Sequence, residues 1–344
     1  TIITNYIFDS AAVNFQGVQG SGDRFGWSVA VSGNYAIVGA YNEDSNLGGN
    51  SSGASNSGAA YIYEYENDTW TQKAFVKASN NTTDTFFGYS VAISGDYAAI
   101  GAYREDTTQS LSGAMYIVER NANGEWGIPN TGTNTSIRLT NHMLKATDAG
   151  NGDYFGNTVA ISGNYAIAGA YSEDSDGTGA SNNVKPLSGA AYIFERDAIG
   201  DWSQKAYLKA AVVSELPPPD DDENFVPGEH YYFGHSVAIS GNYFIAGART
   251  TGTGCAYIFE RDANGTWSEK QKLLASNAED DDFFGGSVAI DGDYALIGAD
   301  YEDSGTTDPD NNDTQSSGAM YLFYRNGSGV WTETNMFKQD PIVY

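Results

Sequence analysis

The sequence has a single cysteine, three histidines and no run of about 18 apolar residues. Cys255 alone cannot close an internal disulfide, and its place in a small-residue slot suggests a small buried hydrophobe. Without a long apolar run, no helix can span a membrane. His142, His230 and His235 offer no zinc spacing, and no nucleophile motif, phosphate loop or paired-acid motif of glycosidase type accompanies them. Basic residues are scarce as well, with 17 Lys and Arg against 44 Asp and Glu and a net charge of -27. Such a charge repels nucleic acid and anionic lipid, so no nucleic-acid partner and no membrane insertion are expected.

Gly, Asn, Ser, Thr and Tyr are plentiful, which fits an extracellular protein, secreted or held at a cell surface. The first residue is Thr1 and not Met, as a processed or excised product would show. The segment Phe25-Gly-Trp-Ser-Val-Ala-Val-Ser-Gly-Asn-Tyr-Ala-Ile-Val-Gly-Ala-Tyr41 returns four more times, at Phe87, Phe155, Phe233 and Phe284. Self-similarity at such a period signals an array, a solenoid or a propeller. In the second copy, Tyr89–Ser94 is a short β-branched run closed by the tight turn Gly95-Asp96, and Tyr97–Ala102 returns antiparallel. A third strand follows at Gly113–Arg120, and Trp126 opens a fourth, matching Trp70, Trp202, Trp267 and Trp331. Four-stranded units with unfinished apolar faces must stack on neighbours. The expected fold is therefore all-β, a single propeller domain over 1–344 with five blades of four antiparallel strands. Two β-like runs before the first anchor, Ile2–Phe8 and Ala12–Val18, are expected to close the ring, to add an edge strand, or to pair with another molecule.

The anchors resemble the FG-GAP repeat of the integrin alpha-subunit propeller and of many bacterial secreted proteins. Phe25-Gly26, Phe87-Gly88, Phe155-Gly156, Phe233-Gly234 and Phe284-Gly285 match its first half, and Gly39-Ala40, Gly101-Ala102, Gly169-Ala170, Gly247-Ala248 and Gly298-Ala299 its second. The resemblance implies a secreted or surface propeller used for adhesion or ligand binding. It does not carry over the integrin calcium loop, because the first two strands are joined here only by Ser-Gly-Asn or Ser-Gly-Asp turns, with Asp291-Gly-Asp293 in the last copy.

In an up-and-down blade, the loops after strands two and four emerge at one end. Those loops are long and unequal (Asn42–Ser57, Ser172–Ser188, Leu216–Tyr231, Glu302–Ser317), which places the binding surface there. The expected ligand is a glycan or a surface protein. Acidic pairs follow Gly-Ala at Glu43-Asp44, Glu105-Asp106, Glu173-Asp174 and Glu302-Asp303, and single acids precede Phe-Gly at Asp23, Asp84, Asp153 and Asp282. The fourth copy lacks both, so pair and single acid serve one local purpose. The acids admit three roles: bonding to backbone N–H groups at the loop bases, holding Ca²⁺, or forming a solvated acidic surface. Calcium ligands would be drawn from the pairs, from Asp174-Ser-Asp176, and from Asp308, Asp310 and Asn312, which alternate in sequence. Two other functions stay open. His230, Tyr231, His235 and Arg249 of the aberrant fourth copy could abstract a proton beside a sugar carboxylate, as polysaccharide lyase chemistry requires. The chain could also be a structural subunit that self-associates through its N-terminal strand.

Overall fold

The computed structural model describes residues 20–50, 52–175, 187–210, 232–250, 252–303 and 316–338. The two β-like runs before the first anchor lie outside them. Every regular element among the described residues is a β-strand, and the strands form five sheets that each carry one four-stranded antiparallel blade.

The first blade shows how the sequence makes one. Ser28–Ser32 and Tyr35–Ala40 pair from Ser32↔Tyr35 to Ser28↔Gly39, closed by a two-residue turn in which Gly33 takes φ +58°. That left-handed value is what a two-residue hairpin needs, and a glycine occupies the position in all five copies. Ala59–Glu66 and Thr69–Lys77 complete the blade. Along the second and third strands the side chains alternate between two faces. Ile37 and Ile62 lie in one apolar cluster, while Val38, Tyr61 and Phe75 lie in another. The first of these faces packs on the second blade, whose Val91 and Ile93 lie in the same cluster.

One expected strand is placed elsewhere. Trp126 is buried, but the fourth strand of the second blade is His142–Leu144, paired with the third strand, Ala114–Glu119. The chain between them makes an excursion, and its strands Ile128–Pro129 and Ile137–Leu139 extend the outer edge of the first blade, the latter parallel to Thr69–Lys77. Trp126 keeps a packing role, with its ring centroid 5.5 Å from that of Tyr35 on the first blade.

The chain divides into two compact units, Thr1–Ala166 with Glu195–Ser203, and Ile167–Phe194 with Gln204–Tyr344. Within each unit, successive blades are joined in one way. The backbone of each incoming Phe bridges to a glycine ahead of the previous blade's third strand: Gly58↔Phe87 and Gly113↔Phe155 in the first unit, Gly189↔Phe233 and Gly254↔Phe284 in the second. A serine of the previous blade donates to the carbonyl of the next residue, as Ser28 Oγ does to Gly88 O (2.9 Å) and Ser236 Oγ to Gly285 O (2.9 Å). Phe87, Phe155, Phe233 and Phe284 are fully buried, each worth about 1.5–3 kcal/mol in apolar transfer.

Candidate functional site

The two loop classes meet at one end of the blades. In the first unit the backbone N–H of Asp84 donates to Ser55 O (2.8 Å) and that of Phe86 to Asn56 O (3.1 Å). The acidic pairs sit at the base of these loops, and the structure gives the four glutamates one common task. Glu43 is buried against Lys77, at the end of the fourth strand, with Nζ to Oε2 at 2.5 Å. The other oxygen accepts the Ser45 N–H (3.0 Å), and the ammonium donates as well to Ser57 Oγ (2.8 Å). The motif recurs as Glu105 with Lys145 and Ser112, Glu173 with Lys209 and Ser188, and Glu302 with Lys338. In the fourth copy Arg249 follows Gly-Ala, and the strand end carries Leu274 where the others carry lysine. Glutamate and lysine are thus lost together, as a buried ion pair requires.

The second acid of each pair holds the far side of the loop. Asp44 accepts the Asn56 N–H (2.7 Å), Asp174 the Leu187 N–H (2.9 Å), and Asp303 the Ser316 N–H. Asp106 is exposed at the surface. Of the single acids, Asp23, Asp153 and Asp282 each accept the backbone N–H three residues back, from Gly20 (2.6 Å), Gly150 (2.6 Å) and Glu279 (2.8 Å). Asp84 accepts the Asn56 side-chain amide instead (2.8 Å). Among the described residues, no three His, Cys, Asp or Glu side chains gather as a metal site. Asp176, Asp308, Asp310 and Asn312 lie outside the described residues.

Burial pushes the Asp282 carboxyl up to about 6, helped by the charges of Glu302, Glu279 and Asp303 and opposed by the Glu279 N–H. A carboxyl raised on folding stabilises the fold fully below its unfolded value, and the contribution is lost as pH rises through the folded value. Asp282→Asn is therefore expected to remove a loss of stability between about pH 4 and pH 6 and to gain about 1–3 kcal/mol at pH 7. Denaturant melts across that range check this; an unchanged pH profile would contradict it.

Of the fourth-copy group, His235 and Arg249 line one cavity of the second unit, while His230 and Tyr231 lie outside the described residues. Burial and the Arg249 charge hold the His235 imidazole below the usual histidine range. The Arg249 guanidinium stacks 4.1 Å from the Phe283 ring centroid and reaches Asp300 Oδ2 at 3.5 Å, so an incoming sugar carboxylate would compete with Asp300 for it.

Sequence reasoning missed a continuous run of aromatic rings at the loop end. Two repeated positions build it, the residue after Gly-Ala and the residue before Phe-Gly, and in the first two copies the residue after Phe-Gly adds a third ring. In the first unit Trp27 meets Tyr41 (centroids 5.0 Å apart) and Tyr89 (5.5 Å), and Tyr41 meets Phe86 (5.3 Å). Tyr103 then touches Tyr89 (4.5 Å), Phe86 (5.7 Å) and Tyr154 (5.6 Å). Phe86 and Tyr154 stand at φ +58° and +57°, a costly backbone state for bulky side chains that recurs before every Phe-Gly. Trp27 is half exposed, the other rings are partly so, and Arg104 lies 4.9 Å from the Phe86 centroid. The second unit has a shorter version, with Tyr171 near Tyr232 and His235, and Phe283 against Tyr301.

Blades of this construction, with a Phe-Gly joint and a Gly-Ala strand end, are those of the FG-GAP propeller fold. The FG-GAP repeat model matches residues 19–63, 70–118, 141–194 and 267–323, more than half of the sequence. The chain belongs to the FG-GAP repeat family. The matched segments leave out the fourth copy at Phe233, where the loop-base acids are missing. No curated protein sequence matches. Among solved structures, the chain is similar to a periplasmic gluconolactonase of Pseudomonas aeruginosa (14% identity, 90% of this chain and 85% of that one, TM-score 0.40). It is also similar to a protein of Lactobacillus plantarum (12%, 90% and 83%, TM-score 0.42) and to a hypothetical selenium-binding protein of Sulfolobus tokodaii (11%, 88% and 74%, TM-score 0.37). Likenesses this distant transfer no function.

Proposed function

We propose that this protein is a secreted or surface-displayed binding module that holds a neutral glycan on the aromatic run of its loop end. The observation that carries this is the unbroken series of ring contacts from Trp27 to Tyr154. Aromatic rings with partly exposed faces suit the apolar C–H faces of pyranose rings, and a few polar groups beside them suit the hydroxyl edges. The ladder is rigid, because each ring is wedged edge-on or tilted against the next, so little side-chain entropy is lost on binding. The net charge of -27 disfavours polyanionic polysaccharides and leaves neutral ones.

Retention in native gels cast with neutral polysaccharides tests the proposal. Trp27→Ala and Tyr103→Ala are each expected to weaken binding by about tenfold, roughly 1.4 kcal/mol, with the melting midpoint little changed. Equal retention of wild type and both variants would sink it. Calcium has no part in this mode of binding, since lysines already neutralise the loop-base glutamates. Thermal melts in millimolar CaCl₂ are expected to match those in NaCl of equal ionic strength. A midpoint raised by Ca²⁺ alone would show a metal site that binds only the folded chain.

A further inference from the structure

Four tyrosines stand in one unbroken line of contact at the loop end of the first unit. Tyr41 meets Tyr89 (centroids 5.4 Å apart), Tyr89 meets Tyr103 (4.5 Å), and Tyr103 meets Tyr154 (5.6 Å). The middle pair differs from the others. Two six-membered rings joined directly through ring carbons have centroids three carbon–carbon bonds apart, about 4.4 Å. Tyr89 and Tyr103 already hold that separation to within a fraction of an ångström, with an interplanar angle of 58°. Coupling them asks for a turn of the rings and not for an approach of the backbones. Tyr192 with Tyr207 and Tyr294 with Tyr324 stand farther apart, at 5.2 Å.

The backbone fixes the pair. Tyr89 directly precedes the strand Ser90–Ser94, and Tyr103 directly follows the strand Tyr97–Ala102, which pairs with it from Ser94↔Tyr97 to Ser90↔Gly101. The two rings therefore stand across the open end of a hairpin, opposite its Gly95-Asp96 turn. Both are partly exposed. Trp27, itself half exposed, lies 5.5 Å from Tyr89, so an electron taken at Trp27 can be replaced from the tyrosine. The lone thiol competes little, since Cys255 is buried and burial pushes its pKa up.

We propose that Tyr89 and Tyr103 are a site of oxidative cross-linking, joined as dityrosine by a haem peroxidase acting with hydrogen peroxide. Each phenol gives up one electron and its hydroxyl proton. The two radicals carry spin on the ring carbons beside the oxygen, and a bond forms between one Cε of Tyr89 and one Cε of Tyr103. Those carbons then lose their hydrogens as protons while the two oxygens take protons back. The two electrons and two protons released overall reduce one hydrogen peroxide to two waters. The product closes the hairpin into a covalent ring, as a disulfide would, in a chain whose single cysteine cannot form one internally. The coupling needs only the ring contacts and is independent of glycan binding.

Dilute protein treated with a haem peroxidase and limiting hydrogen peroxide, then read by dityrosine fluorescence and by mass spectrometry of its peptides, tests this. The expected product is a single chain lighter by two hydrogens, with the cross-link between the peptides that hold Tyr89 and Tyr103. Tyr89→Phe and Tyr103→Phe, which keep the rings and the packing, are each expected to lose most of the fluorescence, and Tyr294→Phe to keep it. Tyr294 and Tyr324 are 54% and 38% exposed, so cross-links found mainly there would mean that exposure and not proximity selects the tyrosines, and would overturn the proposal. Cross-links mainly between chains, no fluorescence in the wild type, or undiminished fluorescence in Tyr103→Phe would overturn it as well.

Discussion

Lys77→Met is expected to lower the stability of the first unit by about 3–5 kcal/mol, the cost of leaving a buried carboxylate without its counter-charge. Lys77 and Glu43 are both sealed from solvent, and neither can reach water by rotating outward. Methionine fills most of the volume of the lysine stem, so the loss reports charge and not a cavity. The Glu43→Gln/Lys77→Met double variant should recover a large part of it, because the Ser45 N–H keeps an acceptor and no unpaired charge stays inside. Urea titrations of the three proteins measure this. A loss below about 1 kcal/mol in Lys77→Met would mean that water reaches the site and that the pair is a surface bridge.

Gly88→Ala and Gly26→Ala form the second pair of large effects, and their difference is the informative quantity. The two glycines have φ of +89° and +88°, so an alanine bears the same backbone penalty at either, about 1–2 kcal/mol. At Gly26 the added methyl group meets open space. At Gly88 it meets Ala59 O at 2.2 Å, and the joint between the first two blades must open to admit it. Gly88→Ala is expected to cost more than about 4 kcal/mol, in the range of overpacking added to strain. Urea titrations of the two variants beside the wild type measure that difference. Equal losses would show that only the backbone state matters and that the close approach is not part of the joint.

The strands were legible because five copies of Phe-Gly, of the two-residue turn and of Gly-Ala fix where each begins and ends. The fourth strand of the second blade was not. Trp126 stands where tryptophan opens that strand in the other copies, but the strand itself starts at His142, and the two short strands between carry too few residues for a period-2 pattern. The loop-base ion pairs were half legible. The glutamates stood out as a repeated pair, whereas Lys77, Lys145, Lys209 and Lys338 are single charges at the ends of strands, 34 or more residues away. The signal lay in the fourth copy, where Leu274 replaces the lysine in the one repeat without the glutamate. The aromatic run is built from one ring per position per repeat, interrupted by Arg24, Arg249 and Asp300, so no stretch of sequence contains it. It becomes continuous only when stacked blades bring residue 41 beside residues 86 and 89.

Titration of the protein with neutral oligosaccharides of increasing length, followed by calorimetry, tests the glycan-binding account most directly. A ladder of rings running from Trp27 to Tyr154 predicts affinity that rises with each added sugar until the run is spanned, then levels off, with the rise shortened in Tyr103→Ala. Affinity that is the same for one sugar as for many, or no heat with any of them, would contradict it.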